Sequence, residues 1–123
     1  MHDPINVASP PPEVPKLDPT AGHITTINTY SIAPEQAEDV MDYLVRSAQE
    51  TVRYVPGFLS FNFHLSLDRT KIVNYGQWES REAVMAAREN PKIVALMAET
   101  AKIAGPSSSM PFVLRTSVSA AAD

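Results

Sequence analysis

Asn74 and Trp78 are the residues of this 123-residue chain whose types and spacing point first to chemistry. Both lie in KIVNYGQW, residues 71–78, a run rich in β-branched and aromatic residues that reads as a strand. Strand side chains alternate, so Ile72, Asn74, Gly76 and Trp78 share one face. A core that held an amide and an indole would have to give each a hydrogen-bond partner. An amide and an indole are an unusual way to fill a core, so this face is the candidate site. Asn28 supplies a second amide. Residues 24–32 (ITTINTYSI) are β-rich, with Thr26, Asn28 and Tyr30 on one face. Placed on adjacent strands, Asn28 and Asn74 converge beside Trp78.

Other chemistries find little support. There is no cysteine, which removes disulfides, thiolate nucleophiles and Cys-ligated metals together. The three histidines are His2, His23 and His64, and His23 and His64 lack the well-spaced further ligands of a metal site. His64 shares a strand face with Asn62. It reads either as a hydrogen-bonded structural residue or as a ligand contact. No Ser-His-Asp arrangement can be argued, and the four glycines form no phosphate loop. A net charge of −4 without a basic run argues against nucleic acid, and no apolar run is long enough for a bilayer. The opening MHDPINVASPPPEVPKLDP has neither the basic nor the apolar region of a secretory signal, so a cytoplasmic protein is expected.

The elements that position these residues follow from pattern. Residues 1–22 hold six of the eleven prolines and read as an extended arm; the domain spans 23–118, and 119–123 is a fraying tail. After strand 24–32, Pro34 and Glu35 open an amphipathic helix that runs to Tyr54, with Val40, Met41, Leu44, Val45 and Ala48 at three- and four-residue steps. Pro56 and Gly57 make a turn into a hairpin of strands 58–67 and 71–78, joined by Asp68, Arg69 and Thr70. Ser80 caps a helix over 81–89, Asn90 and Pro91 interrupt, and a further helix runs from Pro91 to about Ile103. A serine loop, 107–109, precedes a last strand over 111–118. The order β-α-β-β-α-β predicts an α+β, ferredoxin-like antiparallel sheet with its helices on one face. The opposite face, expected to carry Phe61, Phe63, Leu65, Val73 and Tyr75, then needs a cover, which predicts a homodimer packed sheet to sheet.

Pro56-Gly57-Phe58 together with Asn74-Tyr75, Gln77-Trp78-Glu79-Ser80 resembles the antibiotic biosynthesis monooxygenase family, over roughly residues 24–118. The resemblance implies a dimeric α+β barrel. It is nearest to the members that turn polyketide phenols or anthrones into quinones without a cofactor, with O2 as co-substrate. Those members use an asparagine on the first strand and an asparagine and a tryptophan, four residues apart, on the third. These fall on Asn28, Asn74 and Trp78, which become the implied catalytic set. Where some members carry a tyrosine this chain has Val84, and their arginine falls near Met97. The haem-degrading members need a histidine where this chain has Arg88, and no histidine follows Trp78.

The reading so far expects a pocket between sheet and helices, walled by Met41, Leu44, Val84, Met85 and Met97, with His64 as a further substrate contact. It suits a small, flat aromatic substrate. Two alternatives stay open: a flavin-assisted oxygenase of the same fold that borrows reduced flavin, and a non-catalytic small-molecule binding dimer.

Overall fold

The computed structural model describes residues 17–121. The arm expected over 1–22 lies largely outside them, and of the tail only residues 119–121 are described, exposed and without regular structure. The elements are β1 (Ile24–Ser31), α1 (Ala37–Glu50), β2 (Phe58–Leu65), β3 (Lys71–Trp78), α2 (Arg81–Glu89), α3 (Pro91–Ala104) and β4 (Ser107–Val113), with short 3-10 turns at Pro34–Gln36 and Val52–Tyr54. The sheet order is β2-β3-β1-β4 with every pair antiparallel, so the split β-α-β topology expected from the sequence is the one observed.

Local chemistry sets the boundaries. Pro34 stands in the first turn before α1, and Glu38 and Asp39 sit at the positive end of that helix. Gly57 takes φ +82° in the turn before β2, and a Cβ there would collide with the Ala83 side chain of α2. The Ser80 hydroxyl accepts the Ala83 N–H to cap α2, and Asn90 Oδ1 accepts the Lys92 N–H to cap α3. The break at Asn90 and Pro91 thus divides one helical stretch into two capped pieces.

The three helices cover one sheet face. One core cluster gathers Ala48, Val52, Trp78, Val84, Ala87 and Ile93; a second gathers Tyr30, Val40, Leu44, Ile72 and Ala104. Ile72 is fully enclosed, a burial that stabilises by roughly 1.5–3 kcal/mol. Tyr43 Oη lies 3.1 Å from Thr100 Oγ1, tying α1 to α3 above the sheet.

Two expectations are corrected. Phe61, Phe63 and Leu65 do not lie on the open face. They pair with Gly76, Asn74 and Ile72 and therefore point under the helices. The cause is the hairpin loop. A link of residues 68–70 places Leu67 opposite Lys71, whereas the Ser66 N–H donates to the Lys71 carbonyl, and that one-residue slip exchanges the faces. Phe61 packs edge-on to Phe58, Phe63 and Trp78, with centroids 5.0, 6.0 and 6.1 Å away. A bulge at Leu59 lets Phe58 reach the same side, because Phe58 pairs with Trp78 while Ser60 pairs with Gln77. The open face carries Ile27, Val73 and Tyr75 with Met110 and Phe112 of β4, the last two 59% and 43% exposed. The second correction is β4 itself, which spans Ser107–Val113 rather than 111–118. The serines read as a loop pair with β1, and Pro111 is accommodated because β4 is an edge strand.

Candidate active site

A cavity of about 370 Å³ lies between the sheet and the helices, and its walls draw on both core clusters. Its floor is the inner face of all four strands, and α1, α2 and α3 form the sides. Phe61, Phe63, Val52, Ile93 and Leu96 make most of it apolar. Polar groups enter from β1 and β3. The register places Asn28 directly opposite Asn74, and Thr26 opposite Gly76, so the two amides stand side by side on the floor.

The amides differ in what they still lack. Asn74 is 2% exposed, and its Oδ1 accepts the Asn62 backbone N–H at 3.2 Å. That bond fixes the side chain through its oxygen, while its NH2 group has no protein acceptor among the described residues. Asn28 Oδ1 is buried and has no hydrogen-bond partner among the described residues. An orphaned acceptor next to a spare donor is costly in an empty protein, and a ligand hydroxyl that accepts from one amide and donates to the other relieves it.

Trp78 is 5% exposed and closes one end of the floor. Its Nε1–H donates to Thr26 Oγ1 at 3.3 Å, so the indole donor is already engaged within the protein. Gly76 makes this contact possible: a Cβ there would sit 2.6 Å from Thr26 Oγ1 and 2.8 Å from the Phe61 ring. Tyr30 stands at the opposite end. Burial pushes its phenol above the ordinary value, with the Ser107 hydroxyl on the facing strand pulling weakly the other way.

Of the residues named from sequence, Asn28, Asn74, Trp78, Leu44, Val84 and Met97 all line the cavity. Met41, Met85 and His64 do not. Met85 is 59% exposed because α2 turns Val84 and Ala87 inward, which leaves the next residue round the helix in solvent. Met41 packs against the cluster around Ile72. His64 is a neighbour of Val73 on the open face, its Nδ1 3.0 Å from the Asn62 carbonyl oxygen. The same register slip that moved the phenylalanines inward moved His64 outward. The cavity also has wall residues the sequence reading passed over: Thr26, Tyr30, Ser47, Arg88, Thr100 and Ser107. Tyr30 follows Asn28 by two on a strand and Arg88 follows Val84 by four on a helix, so both were accessible to periodicity. Ser107 was hidden by the loop assignment.

Among the described residues no carboxylate, histidine or cysteine lines the cavity, so none of them there is an ordinary general base. Among the described residues there is also no group of three or more His, Asp or Glu side chains able to hold a metal ion. What the site can do is bind a flat apolar ring system and hold one hydroxyl between two amides, accepting from Asn74 and donating to Asn28.

The family model described as antibiotic biosynthesis monooxygenase matches residues 23–99. The chain is 35% identical over 77 residues to the tetracenomycin-F1 monooxygenase of Streptomyces glaucescens, across 63% of this chain and 69% of that protein. It superposes with a TM-score of 0.71 on the monooxygenase from the ActVA-Orf6 gene of Streptomyces coelicolor in complex with nanaomycin D, at 28% identity over 85% of this chain and 96% of that one. SnoaB of Streptomyces nogalater, described as a cofactor-independent oxygenase, shares the fold with a TM-score of 0.64 at 24% identity, over 80% and 98% of the two chains.

Proposed function

This chain belongs to the antibiotic biosynthesis monooxygenase family, and we propose that it oxidises an electron-rich polycyclic phenol or anthrone with O2 to the quinone, using no metal or organic cofactor. The observation that carries this reading is the unpartnered Asn28 Oδ1 set opposite Asn74 in an apolar cavity. A phenolic hydroxyl offers both the donor that Asn28 Oδ1 lacks and the acceptor that the Asn74 NH2 group lacks. The likeness to a tetracenomycin-F1 monooxygenase and to a nanaomycin-bound monooxygenase supports the same substrate class.

The chemistry needs a substrate that provides its own electrons. An anthrone ionised to its enolate passes one electron to O2, and the radical and superoxide combine at the ring carbon as a hydroperoxide. Loss of water from that carbon leaves the carbonyl. One oxygen atom enters the ring and the other departs as water, which accounts for both ring hydrogens. The protein favours the enolate: the Asn74 NH2 group donates to the developing oxyanion, and removing such a donor typically costs about 10²–10³ in rate. Since no side-chain base among the described residues faces the cavity, the Asn74 donor must make ionisation easy rather than perform it, while Asn28 Oδ1 orients the neutral hydroxyl before its proton leaves. Trp78 serves as a rigid end wall, its N–H held by Thr26.

We also assign the open sheet face, with Ile27, Tyr75, Met110 and Phe112, to the contact with a second copy of the chain. Oxygen uptake with anthrones and naphthols, with and without reduced flavin and chelator, tests the activity. The expected result is one O2 consumed per quinone formed, indifferent to both additions. Turnover only with reduced flavin would replace the cofactor-free mechanism, and tight binding without any turnover would make the protein a binder.

A further inference from the structure

Among the described residues Arg88 is the single charged one in the cavity wall, and we propose that it selects, among the aromatic substrates of the proposed reaction, those that carry a carboxylate. The inference rests on the reading of the cavity as a ring-binding site and adds a substituent to what the ring must bear.

Arg88 lies in the last turn of α2, where the helix dipole favours a cation. Nothing on its own helix neutralises it. The positions three and four residues away are Met85, Val84, Pro91 and Lys92, none of them acidic. Among the described residues the one salt bridge joins Arg69 to Glu38, at 3.0 Å, on other elements. An uncompensated guanidinium therefore borders an apolar cavity whose other polar groups are all neutral.

Position says which part of the ligand it meets. Val84 and Ala87 pack with Trp78, so Arg88 belongs to the Trp78 end of the cavity, away from the Tyr30 and Ser107 end. It is also exposed, whereas Asn74 is buried. The reacting oxygen sits deep between the amides, and the group that meets Arg88 is a peripheral substituent at the solvent edge. A carboxylate fits there, because its two oxygens match the guanidinium fork and one side of the pair stays hydrated. The chain as a whole carries a net charge of −4, so its overall field disfavours anions. A preference for an anionic ligand must then have a local origin.

The test uses a shape-matched pair, anthraquinone-2-carboxylate and its primary carboxamide, titrated against the protein by quenching of Trp78, the sole indole in the chain. The expected result is that the carboxylate binds about tenfold more tightly than the carboxamide, and less so as salt is raised. In Arg88→Gln the ratio falls to about one, and in Arg88→Lys it keeps an intermediate value, because the charge remains and the fork is lost. Equal binding of the two compounds by the unaltered protein, or a preference that survives Arg88→Gln, would overturn the assignment while leaving the oxygenase reading standing. If neither compound binds, the ring-binding cavity fails and both readings go with it.

Discussion

Asn28→Leu should make the protein more stable and less active at once. The substitution keeps the approximate shape of the side chain and removes a buried oxygen that no group among the described residues satisfies. A buried acceptor left without a partner costs about 1–3 kcal/mol, and Asn28 is only partly buried, so the low end, about 1 kcal/mol, is the appropriate gain. For a domain of this size that corresponds to a rise in Tm of about 4–8 °C. Its cross-strand neighbour Asn74 keeps its bond from Asn62, so the floor of the cavity stays in place. With anthrone as substrate, kcat/KM should fall by about 10-fold or more, since one of the two groups that hold the reacting oxygen is gone. Calorimetry and oxygen uptake on the same preparation read both quantities. A lower Tm with unchanged activity per folded molecule would show that the Asn28 amide is structural, and would refute the placing of chemistry between the two asparagines.

The remaining predictions concern the surroundings of that pair. Trp78→Phe removes the donor to Thr26 but keeps an aromatic ring against Phe58, so a loss of about 1 kcal/mol is expected in denaturant melts, and Thr26→Val should add little once the indole is gone. Tyr30 titrates above an ordinary phenol because of burial; the folded state therefore holds its proton longer than the unfolded chain. Its contribution is fully present below the unfolded value near pH 10 and is lost as pH rises above it, so alkaline melts should decline less steeply in Tyr30→Phe. Met110→Lys places a charge on the open sheet face and should shift a dimer towards single chains in analytical ultracentrifugation, with the helix-side cavity unaffected.

Much of this architecture could be read from residues alone, and the failures share one cause. The split β-α-β order, the amphipathic α1 and the break at Asn90 and Pro91 all follow from signals local to a few residues: periodicity, caps and proline. Asn28, Asn74 and Trp78 came out on one face because alternation within a strand is also local. Register is not. Phe61, Phe63 and His64 were assigned to the wrong faces together, since a hairpin loop one residue longer than expected exchanges every side chain of β2. β4 was misplaced for a related reason: a run of serines carries no strand signal, and only pairing with β1 orders it. The engagement of the Trp78 N–H by Thr26 depends on the space left by Gly76, and Thr26 comes opposite Gly76 only through the pairing of β1 with β3, which no linear pattern contains.

The extra residue at Leu59 acts on β2 as a shift of reading frame does on a message. Pairs on the Leu65 side of it are matched to β3 in one phase, and Phe58 is brought back into phase with Trp78 by the one unmatched position. Removing Leu59 therefore restores a continuous ladder without altering any pairing partner, and the aromatic group around Trp78 survives. Removing Asn62 instead lets Leu59 fill the unmatched place, so Phe58 keeps Trp78 while Phe61 slides opposite Tyr75 and turns out of the cavity wall. Two deletions three positions apart, equal in length, should thus have opposite fates: the chain lacking Leu59 folds, and the chain lacking Asn62 loses the wall of its own cavity.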